Sequence, residues 1–276
     1  MESFLDTIWN RNLYIGIPLG AFCCSLFLLF CFFNTMRNRT IRGLRGLRLV
    51  LTSSLVWTGC VSLMRLGIFP GISFWHNFAM LGLLMIPVFM YVFLFDFLEI
   101  TEHDTLIYIY SVLTLAVVLG NARSGTILPA PELVDRADGT CVYVYHATVG
   151  TGALTAMEIA VMIYATYLAH CKIGANVELR KKLFPLLLGT VFILGGNLLC
   201  MLPGSVFPFD MLGSVGMAIC MVYIMYKQYL FDFSYRATVG AVYFLAVIVA
   251  AIPVVILSYN LEIVTGSLGQ AAVQRL

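Results

Sequence analysis

The sequence predicts an all-α integral membrane protein, a bundle of seven transmembrane helices followed by an eighth apolar stretch that also spans. Apolar residues make up 61% of the 276 positions and charged residues only 11%, whereas about 25% of the residues of a soluble domain are charged. The apolar residues cluster in stretches of about 20, the length that a helix needs to cross a hydrocarbon core of about 30 Å. These stretches lack the strict polar–apolar alternation of membrane β-strands.

Each apolar stretch is expected to be helical, because backbone amides within lipid must form hydrogen bonds inside their own segment. The eight expected spans cover residues 13–33, 47–66, 74–98, 106–121, 147–170, 183–202, 211–227 and 239–258. The first is too long for the apolar core of a signal peptide, and Glu2 and Asp6 precede it where a signal peptide would be basic. We therefore expect the first stretch to remain in the protein as a span.

Basic residues in the connections predict the orientation of the chain. Cytoplasmic loops are enriched in Lys and Arg, and most of the 16 such residues follow the first, fifth and seventh spans, on one side of the membrane. We therefore expect an inner (plasma) membrane protein with residues 1–12 outside and the basic connections in the cytoplasm. Residues 13–233 would form the seven-helix domain and 234–276 the eighth span and a tail. The bilayer is an expected partner, and a net charge of only +2 gives no reason to expect nucleic acid.

One connection, residues 122–146, is much longer than the others and contains Pro129 and Pro131. Its last residues, CVYVYH, alternate and could pair as a short strand. Long loops of this kind tend to be functional or mobile. The segment could form a lid over an outward-facing cavity or merely connect two helices, and the sequence leaves both interpretations open.

Glu158 lies near the middle of the fifth expected span, where a carboxyl group is costly and indicates a functional site. Thr151 and Thr155 share its helical face, because the three residues follow i, i+4, i+7 spacing. One interpretation is that Glu158 lines a ligand cavity or a proton-linked site. The other is that a protonated carboxyl serves only as a structural hydrogen bond between helices.

Further polar residues lie near the outer ends of the expected spans: Asn121, Asn197, Arg65, His76 and His146. Asn121, Arg65, His76 and His146 could together ring the mouth of a pocket, while Asn197 is a weaker case of the same kind as Glu158. Taken singly, each of the four is better explained as a boundary residue that reaches water. We carry Asn121, Asn197, Arg65 and His76 forward as pocket candidates.

A second side of the fifth span carries the small residues Gly152, Ala156 and Ala160 at every fourth position. This pattern permits close contact between helices. We expect the fifth helix to be packed on this face and polar on another, which suits a central position. If the chain is instead an assembly partner, for example a homodimer, the same residues would mark the interface.

Motifs of catalysis, cofactor binding and metal binding are absent from the sequence. It contains no GxSxG, HExxH or GxxxxGK[ST] motif, and its eight cysteines show no CxxC or Cys/His metal spacing. A retinal Schiff base needs a lysine inside the bundle, whereas Lys227 lies at the end of the seventh span. We therefore expect no enzyme, no cofactor and no metal.

Several segments are similar to those of a known family of sensor regions. They are the second span with its central Trp57, the stretch SFWHNFAMLGLLMIPVFMYVFLFDFLEI at 73–100, Asn121 at the end of the fourth span, and KQYLFDF at 227–233. In these features the chain resembles the amino-terminal seven-transmembrane sensor region of bacterial histidine kinases. The resemblance covers about 230 of the residues, including the first span.

The resemblance implies a receptor-like input module. An outside or membrane-borne signal would change helix packing, and the change would pass through the seventh helix to a cytoplasmic kinase or cyclase. Leu230, Phe231 and Asp232 would lie at the output end. The chain departs from the family where a further apolar stretch, GAVYFLAVIVAAIPVVIL, follows this ending in place of a soluble linker and a PAS or kinase segment.

Three classes of function stay open: a receptor module for an unknown small ligand, a small-molecule or proton-linked transporter, and a structural assembly partner. A transporter would be expected to contain inverted repeats and broken helices, and no clear internal repeat is visible. The receptor interpretation is preferred. It predicts an outward-open pocket near Thr155, Glu158 and Asn197 whose ligand stabilises the folded chain.

Overall fold

A computed structural model describes residues 2–36, 44–99, 105–135, 141–174, 176–200, 202 and 208–227. Seven helices and one hairpin lie in this part of the chain: α1 (Glu2–Met36), α2 (Leu44–Arg65), α3 (Ile72–Leu98), α4 (Thr105–Ser124), β1 (Glu132–Asp135), β2 (Cys141–Val144), α5 (Val149–Ile173), α6 (Val177–Cys200) and α7 (Phe209–Lys227). The helices overlap the first seven expected spans. The eighth, 239–258, lies outside the described residues.

Five of the described helices are long and apolar enough to cross a membrane. The qualifying segments are Arg45–Arg65, Ile72–Leu98, Ile107–Ser124, Val149–Ile173 and Leu183–Cys200. α1 and α7 contain the shorter apolar stretches Ile15–Phe30 and Phe209–Cys220. The helical membrane architecture is therefore confirmed, while the count of seven spans stays a prediction.

The outer surface of the bundle suits lipid. Large apolar side chains on α4, α5 and α6 are more than half exposed, including Tyr108, Leu119, Ile163, Phe184 and Val191. A soluble monomer rarely exposes so much contiguous apolar surface. Acyl chains would cover these residues without the cost of ordering water around them.

α3 is packed against its neighbours much more extensively than α5, which also contacts three helices (α3, α4 and α6). α3 packs against α2, α4 and α5, while α1 contacts α2 and α7, and α7 packs along α6. The fifth helix is therefore less enclosed than the sequence predicts. α3 buries residues around most of its circumference and can be surrounded, whereas α5 buries a narrower face.

α2 and α3 approach each other closely at Gly82. Ser53 Oγ donates a hydrogen bond of 2.7 Å to the Gly82 carbonyl oxygen. A Cβ atom at Gly82 would lie only 2.7 Å from the backbone nitrogen of Trp57. The absence of a side chain at Gly82 thus lets α2 pack against α3 with Trp57 fully buried between the helices.

β1 and β2 form an antiparallel hairpin in the connection between α4 and α5, in which Leu133 lies opposite Tyr143. The strand suggested by the alternation in CVYVYH is thus confirmed over Cys141–Val144. The Tyr143 hydroxyl donates a hydrogen bond of 3.0 Å to the Met64 carbonyl oxygen, which ties the hairpin to the last turn of α2. We call this end of the bundle the hairpin end.

Candidate functional site

A cavity of about 80 Å³ lies inside the bundle at the hairpin end. The residues that line it come from α2, α3, α5, α6, the first turn of α7 and the connection before α5: Trp57, Val61, His76, Met80, Leu83, Leu84, Leu128, Pro129, Tyr145, His146, Ala147, Thr151, Leu154, Thr155, Glu158, Asn197, Cys200 and Asp210. Such a volume holds several water molecules or a small ligand group. Most of the pocket candidates from the sequence therefore meet at one place: Glu158, Thr155, Thr151, Asn197 and His76.

Glu158 is the most buried acidic group on the cavity wall, with 2% of the residue exposed. Its Oε1 atom is buried and has no hydrogen-bond partner among the described residues. A buried polar atom without a partner is costly. The cavity therefore offers a strong acceptor to any occupant that can donate a hydrogen bond.

The first turn of α5 sets the direction of the polar face. The Thr151 amide donates to Thr148 Oγ1 at 3.1 Å, and the Thr148 amide donates to Thr151 Oγ1 at 2.7 Å, which forms a capping box. The Thr148 hydroxyl also donates to the Ile127 carbonyl oxygen at 2.7 Å. This cap fixes the start of α5, so that Thr151, Thr155 and Glu158 all reach the cavity.

The rim of the cavity lies in the connection before α5, where His146 and Ala147 are exposed. His146 Nε2 lies 3.3 Å from Glu132 Oε2 on β1, so the hairpin contacts the rim directly. Below it, the rings of Tyr145 and the buried His76 have centroids 6.2 Å apart. The cavity thus extends from an exposed rim to the buried carboxyl group.

Asp210, in the first turn of α7, was missed in the sequence. It lines the cavity, is 7% exposed, and accepts a hydrogen bond of 3.3 Å from the Cys200 thiol. The Asp210 amide donates to Cys200 Sγ at 3.2 Å. Arg65, at the end of α2, is buried and interacts electrostatically with Asp210. The signal for Asp210 is an acidic residue beside an apolar run, but the sequence predicts that the span begins at 211, one residue later.

Arg65 and Asn121 are the two pocket candidates that do not line the cavity. Asn121 instead holds the connection before α5. Its Nδ2 donates to the Leu128 carbonyl oxygen at 2.8 Å and to Asn77 Oδ1 at 2.7 Å. Its Oδ1 accepts from the amides of Leu128, at 2.8 Å, and Ile127, at 3.0 Å. Since Leu128 is part of the wall, Asn121 acts on the cavity through it.

The small residues Gly152, Ala156 and Ala160 are exposed on the surface of α5. A Cβ atom at Gly152 would meet no atom within 4 Å. The close helix contact expected from their spacing is therefore not made within the described bundle, because α5 turns its threonine and glutamate face inward. Contact with another copy stays a prediction. The expected output residues Leu230, Phe231 and Asp232 lie outside the described residues.

Fold and cavity together define a class: a helical membrane protein with a small, mainly apolar cavity that contains two buried carboxyl groups and opens toward one end. Among the described residues, no group of three or more His, Cys, Asp or Glu side chains is placed to hold a metal ion.

The chain belongs to the family described as the N-terminal 7TM region of histidine kinase, whose model matches residues 17–234. The resemblance seen in the sequence is thereby confirmed, and it extends over well over half of the chain. In a histidine kinase this region is a membrane-embedded, non-catalytic input region. No curated protein and no solved structure matches the chain.

Proposed function

We propose that this chain is a sensor input module of a bacterial signal-transduction system. A small ligand from outside the cell or from the outer leaflet enters the cavity, and its binding is relayed through α7 to a cytoplasmic kinase or cyclase. The observation that carries the proposal is the place of the cavity: in a chain of a sensor-region family, the wall of the cavity includes the first turn of the last described helix.

Asp210 supports the relay step. It faces the cavity and is held by Cys200 of α6 and by the charge of Arg65 on α2. A ligand that changes any of these contacts changes the start of α7, which packs along α6 and α1. Ligand binding can shift such an equilibrium only by binding one arrangement more tightly than the other. Leu230, Phe231 and Asp232, which follow α7 in the chain, are proposed as the connection to the output.

Charge distribution supports an orientation with the hairpin end outside. Most exposed basic residues of the described chain lie at the opposite end of the bundle, and Arg123, in the last turn of α4, is the exception: Arg45 and Arg48 are in the first turns of α2, Lys172 at the end of α5, and Arg180 and Lys181 near the start of α6. This bias corresponds to a cytoplasmic side. The amino terminus would then also lie on the outer side of the inner membrane, and the cavity would open outward.

A chimera tests the sensor role. Residues 1–234 are joined to the kinase core of a histidine kinase that carries the same family region, and the chimera is reconstituted in liposomes. A panel of small metabolites is first screened for an increase in the melting temperature of the unfused chain, since a ligand at 100 times its Kd stabilises the folded state by about 2.7 kcal/mol. Compounds that stabilise the chain are expected to change the rate of autophosphorylation.

Matched variants connect that response to the cavity. Glu158→Gln is expected to abolish the response. Asp96→Asn makes the same change of charge at an exposed position, at the end of α3 away from the cavity, and this variant should retain the response. A compound that stabilises the chain and accumulates inside the liposomes, but leaves autophosphorylation unchanged, would contradict the sensor role. The unpaired Glu158 would then indicate a transporter.

A further inference from the structure

The charges around the cavity do not balance. Of the two buried carboxyl groups on its wall, Asp210 is compensated by the charge of Arg65 and by the hydrogen bond that its Oδ1 accepts from the Cys200 thiol. Glu158 has neither kind of compensation: no Lys or Arg residue lines the cavity, and Oε1 has no hydrogen-bond partner in the described part of the chain. The cavity therefore has an acceptor, and a site for positive charge, that the described residues leave unfilled.

The rest of the wall is mainly apolar and partly aromatic. Leu83, Leu84 and Leu154 come from α3 and α5, and Trp57 and Tyr145 contribute aromatic rings. Such a wall favours an apolar body on the occupant, and an aromatic face attracts a cation within about 6 Å of its centroid. A bare inorganic ion would leave most of this wall in contact with water.

We propose that the cavity binds a small organic ammonium ion, with its N–H groups donating to the Glu158 carboxylate and a short apolar body against the leucine and aromatic wall. This inference rests on the proposed function, because it names the chemical class of the ligand that the sensor cavity receives. The volume of about 80 Å³ limits the part of the ligand that is fully enclosed to a few heavy atoms. A longer body would extend toward the exposed rim at His146.

The test uses four probes and the full chain in nanodiscs. The probes are propylammonium, 1-propanol, propionate and sodium, with the two cations supplied as chlorides and propionate as its potassium salt. Binding of the organic probes is measured by saturation-transfer NMR titration with empty nanodiscs subtracted, and sodium is tested as a competitor. Propylammonium is expected to bind at least about tenfold more tightly than 1-propanol, the size of effect that a charge-assisted hydrogen bond gives. Propionate should not bind, and sodium should not displace propylammonium at equal concentration.

Two variants place the effect at the carboxyl group. Glu158→Gln should lower the affinity for propylammonium by about tenfold or more and leave the affinity for 1-propanol unchanged, because the amide keeps the shape of the side chain and loses the charge. Asp96→Asn should leave both affinities unchanged. If Glu158→Gln does not fold, as judged by its elution in size-exclusion chromatography, the ratio of the two affinities in the natural chain decides the question.

Three results would overturn the ligand class: no measurable binding of propylammonium, equal affinity for the amine and the alcohol, or equal affinity of the natural chain and a folded Glu158→Gln variant for the amine. Displacement by sodium at equal concentration would assign the site to an inorganic cation instead. None of these results bears on the kinase response of the chimera, which tests the sensor role separately with other compounds.

Discussion

Replacing Asn121 with alanine should loosen the connection that forms one wall of the cavity. The side chain is 1% exposed and makes four hydrogen bonds, of 2.7, 2.8, 2.8 and 3.0 Å. Two of them satisfy both backbone groups of the buried Leu128. A hydrogen bond contributes about 0.5–1.5 kcal/mol net, and leaving a buried partner unpaired costs about 1–3 kcal/mol. Because Ile127 is partly exposed, its amide can bond to water, and we expect a total loss of about 3 kcal/mol.

The loss should appear as a lower melting temperature and as faster hydrogen exchange in the connection. For a chain of this size about 3 kcal/mol corresponds to a decrease of roughly 6–12 °C, measured as the fraction of the protein that remains monodisperse after heating in detergent. Hydrogen exchange followed by mass spectrometry should show lost protection at Ile127 and Leu128, with α2 and α3 unchanged.

Asn77→Ala is the matched control, because it removes only the bond donated by Asn121 Nδ2 and one bond of Asn77 to its own helix, at Ser73. It should cost about 1 kcal/mol or less. If Asn121→Ala has the same melting temperature as the natural chain, or if Asn77→Ala loses as much stability as Asn121→Ala, then the side chain of Asn121 does not hold the connection that forms the wall.

Three further predictions concern packing, the hairpin and orientation. Gly82→Ala would push a methyl group into the backbone of α2 and should destabilise the chain by about 1–3 kcal/mol, whereas Gly120→Ala meets no atom within 4 Å and should not lower the melting temperature. Tyr143→Phe removes the bond to the end of α2 and should cost about 1–2 kcal/mol, with increased hydrogen exchange confined to the hairpin. In a variant free of other reactive cysteines, Leu133→Cys should react with a membrane-impermeant maleimide in intact cells, and Arg180→Cys only after lysis.

Each of these predictions has a result that would contradict it. Equal melting temperatures for the two glycine variants would mean that α2 and α3 are not in close contact at Gly82. If hydrogen exchange in the hairpin of Tyr143→Phe equals that of the natural chain, then the Tyr143 hydroxyl does not hold the hairpin to α2. Labelling of Arg180→Cys before lysis, with Leu133→Cys protected, would reverse the orientation and place the mouth of the cavity in the cytoplasm.

The positions of the helices were largely predictable because span length and apolarity are properties of consecutive residues. The expected spans at 47–66 and 74–98 match α2 and α3 to within a few residues. The short strand at Cys141–Val144 was visible in its alternation, but its partner, Glu132–Asp135, was not, since pairing depends on a residue outside the segment. The seventh span is predicted to begin at 211, two residues after the start of α7, so Asp210 lies outside the predicted span.

The residues of the cavity were only partly predictable. Glu158 and Thr155 could be named because their helical spacing places them on one face. The sequence could not tell that Asn121 bonds to the connection while His76 faces the cavity, since both are polar residues near a span end. Nor could it tell that Gly152 would face outward, because a small-residue pattern permits contact without requiring it.

By itself, the sequence determined that this protein is a helical membrane protein of a sensor family, with an acidic residue buried in its fifth span. Hydropathy and spacing along one helix are sufficient for these conclusions. Only the tertiary structure decided that α3 is more enclosed than α5, that Glu158 meets the start of α7 across one cavity, and that, within the described chain, Asp210 is compensated while Glu158 is not. The reason is that a cavity and its charge balance depend on which faces of distant helices meet, and that is set by the packing of whole surfaces.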